Sequence, residues 1–202
     1  DRFHERFNDV IADPEGRVFA GVMPDTDRDI PGQLYRLDGD GTFELVREEC
    51  VLPNGMGFTP DRSQMYFSDT GNVDPDSPGY IYRYDYDRAS GAISDPEVFV
   101  ECGAFDGYPD GMTVDSEGHV WSAFWDGHAL RRFSPEGDHE ATVEFAPRKV
   151  SSLTFGGTEN ETAYVTTACV ETRETEGEGA GSLYTVDLGV TGVPEFRSAI
   201  DV

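Results

Sequence analysis

The chain repeats itself with a period of about fifty residues, and a period of that size points to stacked sheet units. Four versions of one acidic turn carry the repeat: Asp13-Pro14-Glu15-Gly16, Thr59-Pro60-Asp61-Arg62, Asp115-Ser116-Glu117-Gly118 and Thr158-Glu159-Asn160-Glu161. A short apolar run precedes each (Val10-Ile11-Ala12, Met56-Gly57-Phe58, Met112-Thr113-Val114, Leu153-Thr154-Phe155) and an apolar, aromatic strand follows, so every unit begins as a hairpin. A third alternating strand comes next, as in Gln33-Leu34-Tyr35-Arg36-Leu37 and Tyr80-Ile81-Tyr82-Arg83-Tyr84, then a Gly-containing turn and a weaker outer strand such as Glu97-Val98-Phe99-Val100. Four strands per unit with no helical period predict a β-propeller blade, and the fold class is all-β. The 202 residues make one domain, 1–202, of about four blades. The chain opens on the inner strand of a blade already begun, and a partial ring leaves two open sheet edges, so it reads as N-terminally incomplete.

The charge balance narrows the partners. Forty acidic residues against 15 basic ones give a net charge of −25, with a single lysine, Lys149, among the bases. Nucleic acid and anionic membranes would be repelled. The carboxylates are spread through every segment, which reads as an acidic surface adapted to high salt, where a Debye length of about 3 Å screens self-repulsion. No run approaches the roughly 18 apolar residues of a membrane helix. Cys50, Cys102 and Cys169 are widely separated, which argues against a disulfide framework or thiolate zinc site and for buried free thiols in a reducing, cytoplasmic setting. Oligomeric state leaves no trace in the sequence.

An ordered set of segments carries a resemblance across essentially the whole chain: Arg6-Phe7-Asn8-Asp9, Ala20-Gly21-Val22-Met23, Pro53-Asn54-Gly55-Met56, Tyr82-Arg83-Tyr84-Asp85-Tyr86-Asp87, Pro109-Asp110-Gly111-Met112, Phe155-Gly156-Gly157 and Tyr164-Val165-Thr166-Thr167-Ala168. Together they resemble the SMP-30/gluconolactonase family. The resemblance implies a six-bladed propeller with one divalent metal at the channel mouth and an activity that opens sugar lactones to the acid. It implies calcium first, with magnesium, manganese or zinc as alternatives. It also implies that the family's first third is absent, including a Glu that ligates the metal, so this chain alone is expected to be inactive or impaired.

Asn54 and Asp110 each sit in an Asn-Gly or Asp-Gly turn just before an innermost strand, so the repeat sets them at one level around one axis, converging on the channel mouth. Their oxygens are hard donors suited to Ca²⁺, Mg²⁺ or Mn²⁺. Asn-Gly and Asp-Gly are equally ordinary turn formers; the resemblance makes both residues metal ligands. Asp110 is the candidate for double duty, as ligand and as general base for the attacking water. The resemblance assigns Arg6 and Asn8 to substrate, with Arg6 able to steady an oxyanion; Asp9, beside them in the same motif, is read as a third member of the substrate-binding group that orients the other two, and a surface Arg–Asp pair is the alternative. The acidic segment 24–32 resembles the long loop that lids the family's pocket, with Asp25 either a substrate contact or part of a solvated acidic loop. Trp125 reads as pocket wall or blade packing, the four histidines as surface residues, Tyr82, Tyr84 and Tyr184 as interblade core, and 171–178 as a charged, mobile loop. Ser151-Ser152 lacks a nucleophile elbow, which disfavours serine hydrolysis. The sequence thus predicts a metal-dependent sugar lactonase. An aryl-ester or phosphotriester hydrolase and a non-catalytic metal-binding scaffold are the alternatives.

Overall fold

The computed structural model describes residues 6–24, 30–71 and 77–201. Four antiparallel sheets follow one another along the chain. Blade 1 is β1 (Phe7–Ala12), β2 (Val18–Val22), β3 (Gly32–Leu37) and β4 (Phe43–Cys50). Blade 2 is β5 (Pro53–Phe58), β6 (Gln64–Asp69), β7 (Tyr80–Tyr86) and β8 (Ile93–Glu101). Blade 3 is β9 (Tyr108–Val114), β10 (Val120–Trp125), β11 (Ala129–Phe133) and β12 (His139–Glu144). Blade 4 is β13 (Val150–Gly156), β14 (Thr162–Thr167) and β15 (Leu183–Val186), and it corrects the expectation of four strands in every unit. The innermost strands β1, β5, β9 and β13 pack in series around a channel.

The core lies between blades, and this explains the strand composition. Side chains alternate across a strand, and a middle blade is covered on both faces. In β6, Met65 and Phe67 point towards blade 1 with Phe19 and Leu34, while Tyr66 points towards blade 3 with Val120 and Phe124. In β10, Trp121 and Ala123 join Leu153, Phe155 and Val165 of blade 4. Both halves of the alternation are apolar, so these strands read as near-continuous apolar runs. The outer faces of the end blades carry exposed apolar groups: Phe7, Val10 and Phe43 on blade 1, and Leu183 on blade 4.

The acidic turns are anchors rather than surface decoration. Asp13 is fully buried; its Oδ1 accepts from the backbone N–H groups of Glu15 and Arg17 at 2.8 and 2.9 Å, and its Oδ2 from Arg17 and the Tyr86 hydroxyl. Asp115 repeats the arrangement with Glu117 and His119 N–H at 3.0 Å each, and with Trp121 Nε1 and Arg132. Each closes a local loop that the backbone alone would leave unsatisfied.

After blade 4 the chain crosses the end of the channel where these turns sit. Gly192 bridges to Asp115, Phe196 packs edge-on against Phe58, and Ala199 N–H donates to Gly16 O at 2.8 Å. Within the segment 168–182, the stretch 171–178, expected to be mobile, instead contains a short helix, α1 (Arg173–Glu176), whose Glu176 is buried against Lys149 Nζ at 2.6 Å. Among the cysteines, Cys50 and Cys102 are buried as expected, but Cys169 is exposed. Phe124 is interblade core, whereas Trp125 is half-buried with Lys149 Nζ 5.5 Å from its ring centroid. Tyr84 is buried, while Tyr82 and Tyr184 are only partly so. His128 and His139 are exposed, but His119 is half-buried, with Nε2 3.2 Å from Glu140. Among the described residues no helix is long and apolar enough to cross a membrane.

Candidate metal and substrate site

All four inner strands carry the same irregularity at the same height. Phe7 faces Val22 while Val10 faces Ala20; Pro53 faces Asp69 while Met56 faces Phe67. Likewise Pro109 faces Phe124 while Met112 faces Ser122, and Val150 faces Thr167 while Leu153 faces Val165. Each inner strand therefore bulges against its partner. Bulges re-aim side chains and gather next to functional sites. The bulge brings Asn8, Asn54, Asp110 and Ser151 into equivalent positions at one end of the channel, with Asp9 one residue further along β1.

This corrects one expectation. Asn54-Gly55 and Asp110-Gly111 are not turns before strands; they lie inside β5 and β9. Their glycines answer to close approach. A Cβ on Gly55 would sit 2.5 Å from both Asp110 O and Met112 N, and one on Gly111 would sit 2.3 Å from Ser152 Oγ.

A directed chain of hydrogen bonds orients the donors. The Thr70 hydroxyl donates its one proton to Pro109 O at 2.7 Å, so towards Asn54 it can only accept, and Asn54 Nδ2 donates to it at 2.8 Å. Asn54 Oδ1 is therefore turned the other way, where it accepts from Asn8 Nδ2 at 3.0 Å and keeps one lone pair. Asn8 Nδ2 also donates to Pro53 O at 2.9 Å, and Asn8 Oδ1 accepts from exposed Arg6 at 3.2 Å.

Asp110 is electrostatically uncompensated. Among the described residues no ion pair or side-chain hydrogen bond reaches its carboxylate. Its pKa is pushed up to about 8, first by burial and then by the charge of Asp9, against a smaller lowering from the Gly111 N–H. Asp9 is raised as well, by burial first, with its Oδ1 accepting from Val10 N–H at 2.8 Å. Two buried carboxylates, of which Asp9 raises the proton affinity of Asp110, together with an amide oxygen on the neighbouring inner strand that keeps a free lone pair, form an all-oxygen donor set of the kind hard divalent cations take. The residues present fit such an ion.

A second acidic group lies at the opposite end of β9. Asp115, Glu117 and His119 bring ligand atoms within 4.8 Å of one another. Arg132 already fills their centre, with Nη2 at 2.9 Å from Asp115 and 2.7 Å from Glu117, so the group is an ion-pair network.

The structure therefore brings Arg6, Asn8, Asp9, Asn54 and Asp110 together; Asp25 lies outside the described residues. Sequence reasoning missed Thr70, at the end of β6. The equivalent positions in the other blades are Met23, Trp125 and Ala168, so the repeat gave it no signal.

The fold is that of a β-propeller whose inner strands gather oxygen-bearing side chains at one end of the channel. The profile of the SMP-30/gluconolactonase/LRE-like region matches residues 1–169, and the chain belongs to this family. It is 46% identical to a pentonolactonase of Haloferax volcanii over 96% of its own length and 67% of that relative's. It is 34% identical to a protein of Bacillus subtilis described as a putative sugar lactone lactonase, over 98% and 67%. Among solved structures, a luciferin-regenerating enzyme matches with a TM-score of 0.85 at 28% identity, covering 98% of this chain and 66% of that one. The calcium-binding protein regucalcin of Agrobacterium tumefaciens matches with a TM-score of 0.84 at 26% identity, covering 96% and 65%. The chain thus spans about two thirds of the length of these relatives.

Proposed function

We propose that this protein is a metal-dependent lactonase that opens a small sugar lactone to its hydroxy acid. The observation that carries the reading is the uncompensated Asp110 carboxylate beside the oriented oxygen of Asn54. The pentonolactonase relative supplies the substrate class.

Asn54 Oδ1 and Asp110 would hold one divalent cation, calcium first. Such an ion, when bound, polarises a carbonyl and makes water more acidic. Asp110 takes the proton of the attacking water as that oxygen joins the lactone carbonyl carbon. When the ring C–O bond breaks, the same carboxyl returns the proton to the departing ring oxygen, which stays tethered as a hydroxyl group. Arg6 donates to the oxygen on which charge builds, and Asn8, held between Arg6 and Asn54, keeps the two halves of the site in register.

The test uses full-length protein with gluconolactone or a pentonolactone at molar KCl, following acid release. Chelator-sensitive turnover is expected, and Asp110→Ala should lower it by about 10²–10⁴-fold. Turnover that survives both chelation and the substitution defeats the reading.

A further inference from the structure

We infer that Thr70 is a positioning residue for the metal site: its hydroxyl selects which atom of Asn54 faces the channel and ties that side chain to the strand carrying Asp110. The inference rests on the metal-site reading above.

The argument is one of proton count. An asparagine amide has two similar ends, one a donor and one an acceptor, and only the oxygen can ligate a cation. Nothing in the shape of the Asn54 side chain chooses between them. Thr70 does. Its single proton is committed to Pro109 O at 2.7 Å, which leaves lone pairs towards Asn54, and these accept the NH₂ end at 2.8 Å. Thr70 is 7% exposed and Asn54 also 7%, so water offers little competition for either bond. The other end of the amide is then matched by Asn8 Nδ2, which requires an acceptor at that point. A flipped Asn54 would set two NH₂ groups against each other and turn its carbonyl oxygen on the lone pairs of Thr70.

The same hydroxyl also joins two blades. Pro109 O belongs to the residue just before Asp110, and Asn54 belongs to β5, so one oxygen atom just past β6 ties the Asn54 side chain to the strand that carries Asp110. Outer-shell hydrogen bonds of this kind typically change metal affinity by about 10–100-fold when removed.

Thr70→Val keeps the shape and removes the hydroxyl; Thr70→Ser keeps the hydroxyl. Calorimetric titration of metal-stripped, full-length protein with Mn²⁺ should find Thr70→Ser within about twofold of wild type and Thr70→Val at least about tenfold weaker. Thermal unfolding of the same metal-stripped samples separates lost affinity from lost folding. Should Thr70→Val not fold, the wild type still decides the matter: the Asn54 side-chain NH₂ should appear by nuclear magnetic resonance as a pair slow to exchange with water, and fast exchange would overturn the inference. Equal Mn²⁺ affinity in Thr70→Val and wild type, or a Thr70→Ser as weak as Thr70→Val, overturns it alone. A wild type that takes up no Mn²⁺ overturns the metal-site reading and this inference with it.

Discussion

Asp110 is a buried carboxyl that the described residues leave without an ion pair, and this has a measurable consequence. Its pKa in the folded chain is pushed up to about 8, by burial and by Asp9, from an ordinary value of 3.8. A carboxyl raised on folding binds a proton more tightly in the native state than in the unfolded one. Its stabilising contribution is therefore complete below about pH 4 and is lost progressively as pH climbs through about 8. Metal-stripped protein should accordingly melt at falling temperature across that window, after allowance for the other carboxylates, and Asp110→Asn, which cannot ionise, should melt with a flatter profile. Adding Mn²⁺ should restore stability most at the alkaline end, where the ionised pair repels most strongly. A metal-stripped profile unchanged by Asp110→Asn would mean that the carboxylate is hydrated in solution and makes no demand for a cation. On the proposed reading, one side chain ties the stability of the fold both to pH and to the ion.

At the scale of elements, the one lysine of the chain joins a loop to a blade. Lys149, just before β13, lies within hydrogen-bond distance of both Glu176 oxygens, at 2.7 and 2.6 Å, and 3.2 Å from Asp126. Glu176 closes α1, so the pair seats the segment 168–182 against blade 4. Removing one partner of a buried pair leaves the other charge stranded, at about 3–5 kcal/mol, whereas replacing both by apolar groups is often neutral. Lys149→Met should therefore lower the melting temperature clearly and expose 168–182 to limited proteolysis, and Lys149→Met with Glu176→Leu should recover most of the loss. Similar damage from the single and the double change would show that the pair holds nothing. This element also shows where sequence reading stops. The blades were legible because two-faced burial writes apolar runs at a fixed period, and repeated turns mark their ends. The acidic stretch 171–178 read as mobile because its partner, Lys149, lies 27 residues before Glu176 and no local pattern links them. Asn54-Gly55 read as a turn because glycine serves both left-handed turns and close strand approach, and only the neighbouring strand tells these apart. Arg6, Asn8, Asp9, Asn54 and Asp110 could be picked out because the family resemblance singles out their motifs and the repeat sets them at one level, while Thr70 could not, since its bond to Pro109 spans 39 residues and its counterparts in other blades differ.

The whole molecule carries a net charge of −25 on 202 residues, and its behaviour in salt depends on which of two opposed electrostatic effects is larger. Salt weakens attraction as well as repulsion. The attractive part here is concentrated in arginine-centred clusters, such as Arg36 with Asp38 and Glu44, and Arg132 with Asp115, Glu117 and Glu140. These are contact pairs, several of them with one partner nearly or fully buried, and short, partly buried pairs are screened least. The repulsive part comes from an excess of carboxylates spread over the surface, acting across distances that exceed the roughly 8 Å Debye length of physiological salt only in part and exceed the roughly 3 Å of molar salt almost everywhere. Repulsion should therefore fall faster than attraction as salt rises, and the folded state, where the charges are closest, gains. The expected outcome is a melting temperature and a urea midpoint that climb steadily from 0.1 to 2 M KCl, with a neutral osmolyte at matched water activity giving a smaller rise. Substrate offers an independent check, because a neutral lactone feels none of this field: its KM should vary little over the same range, whereas an anionic lactone would bind better as salt increases. A protein equally stable at both ends of the range would show that its carboxylates are already neutralised by bound cations, and the acidic surface would then have to be explained by what it binds rather than by the medium it tolerates.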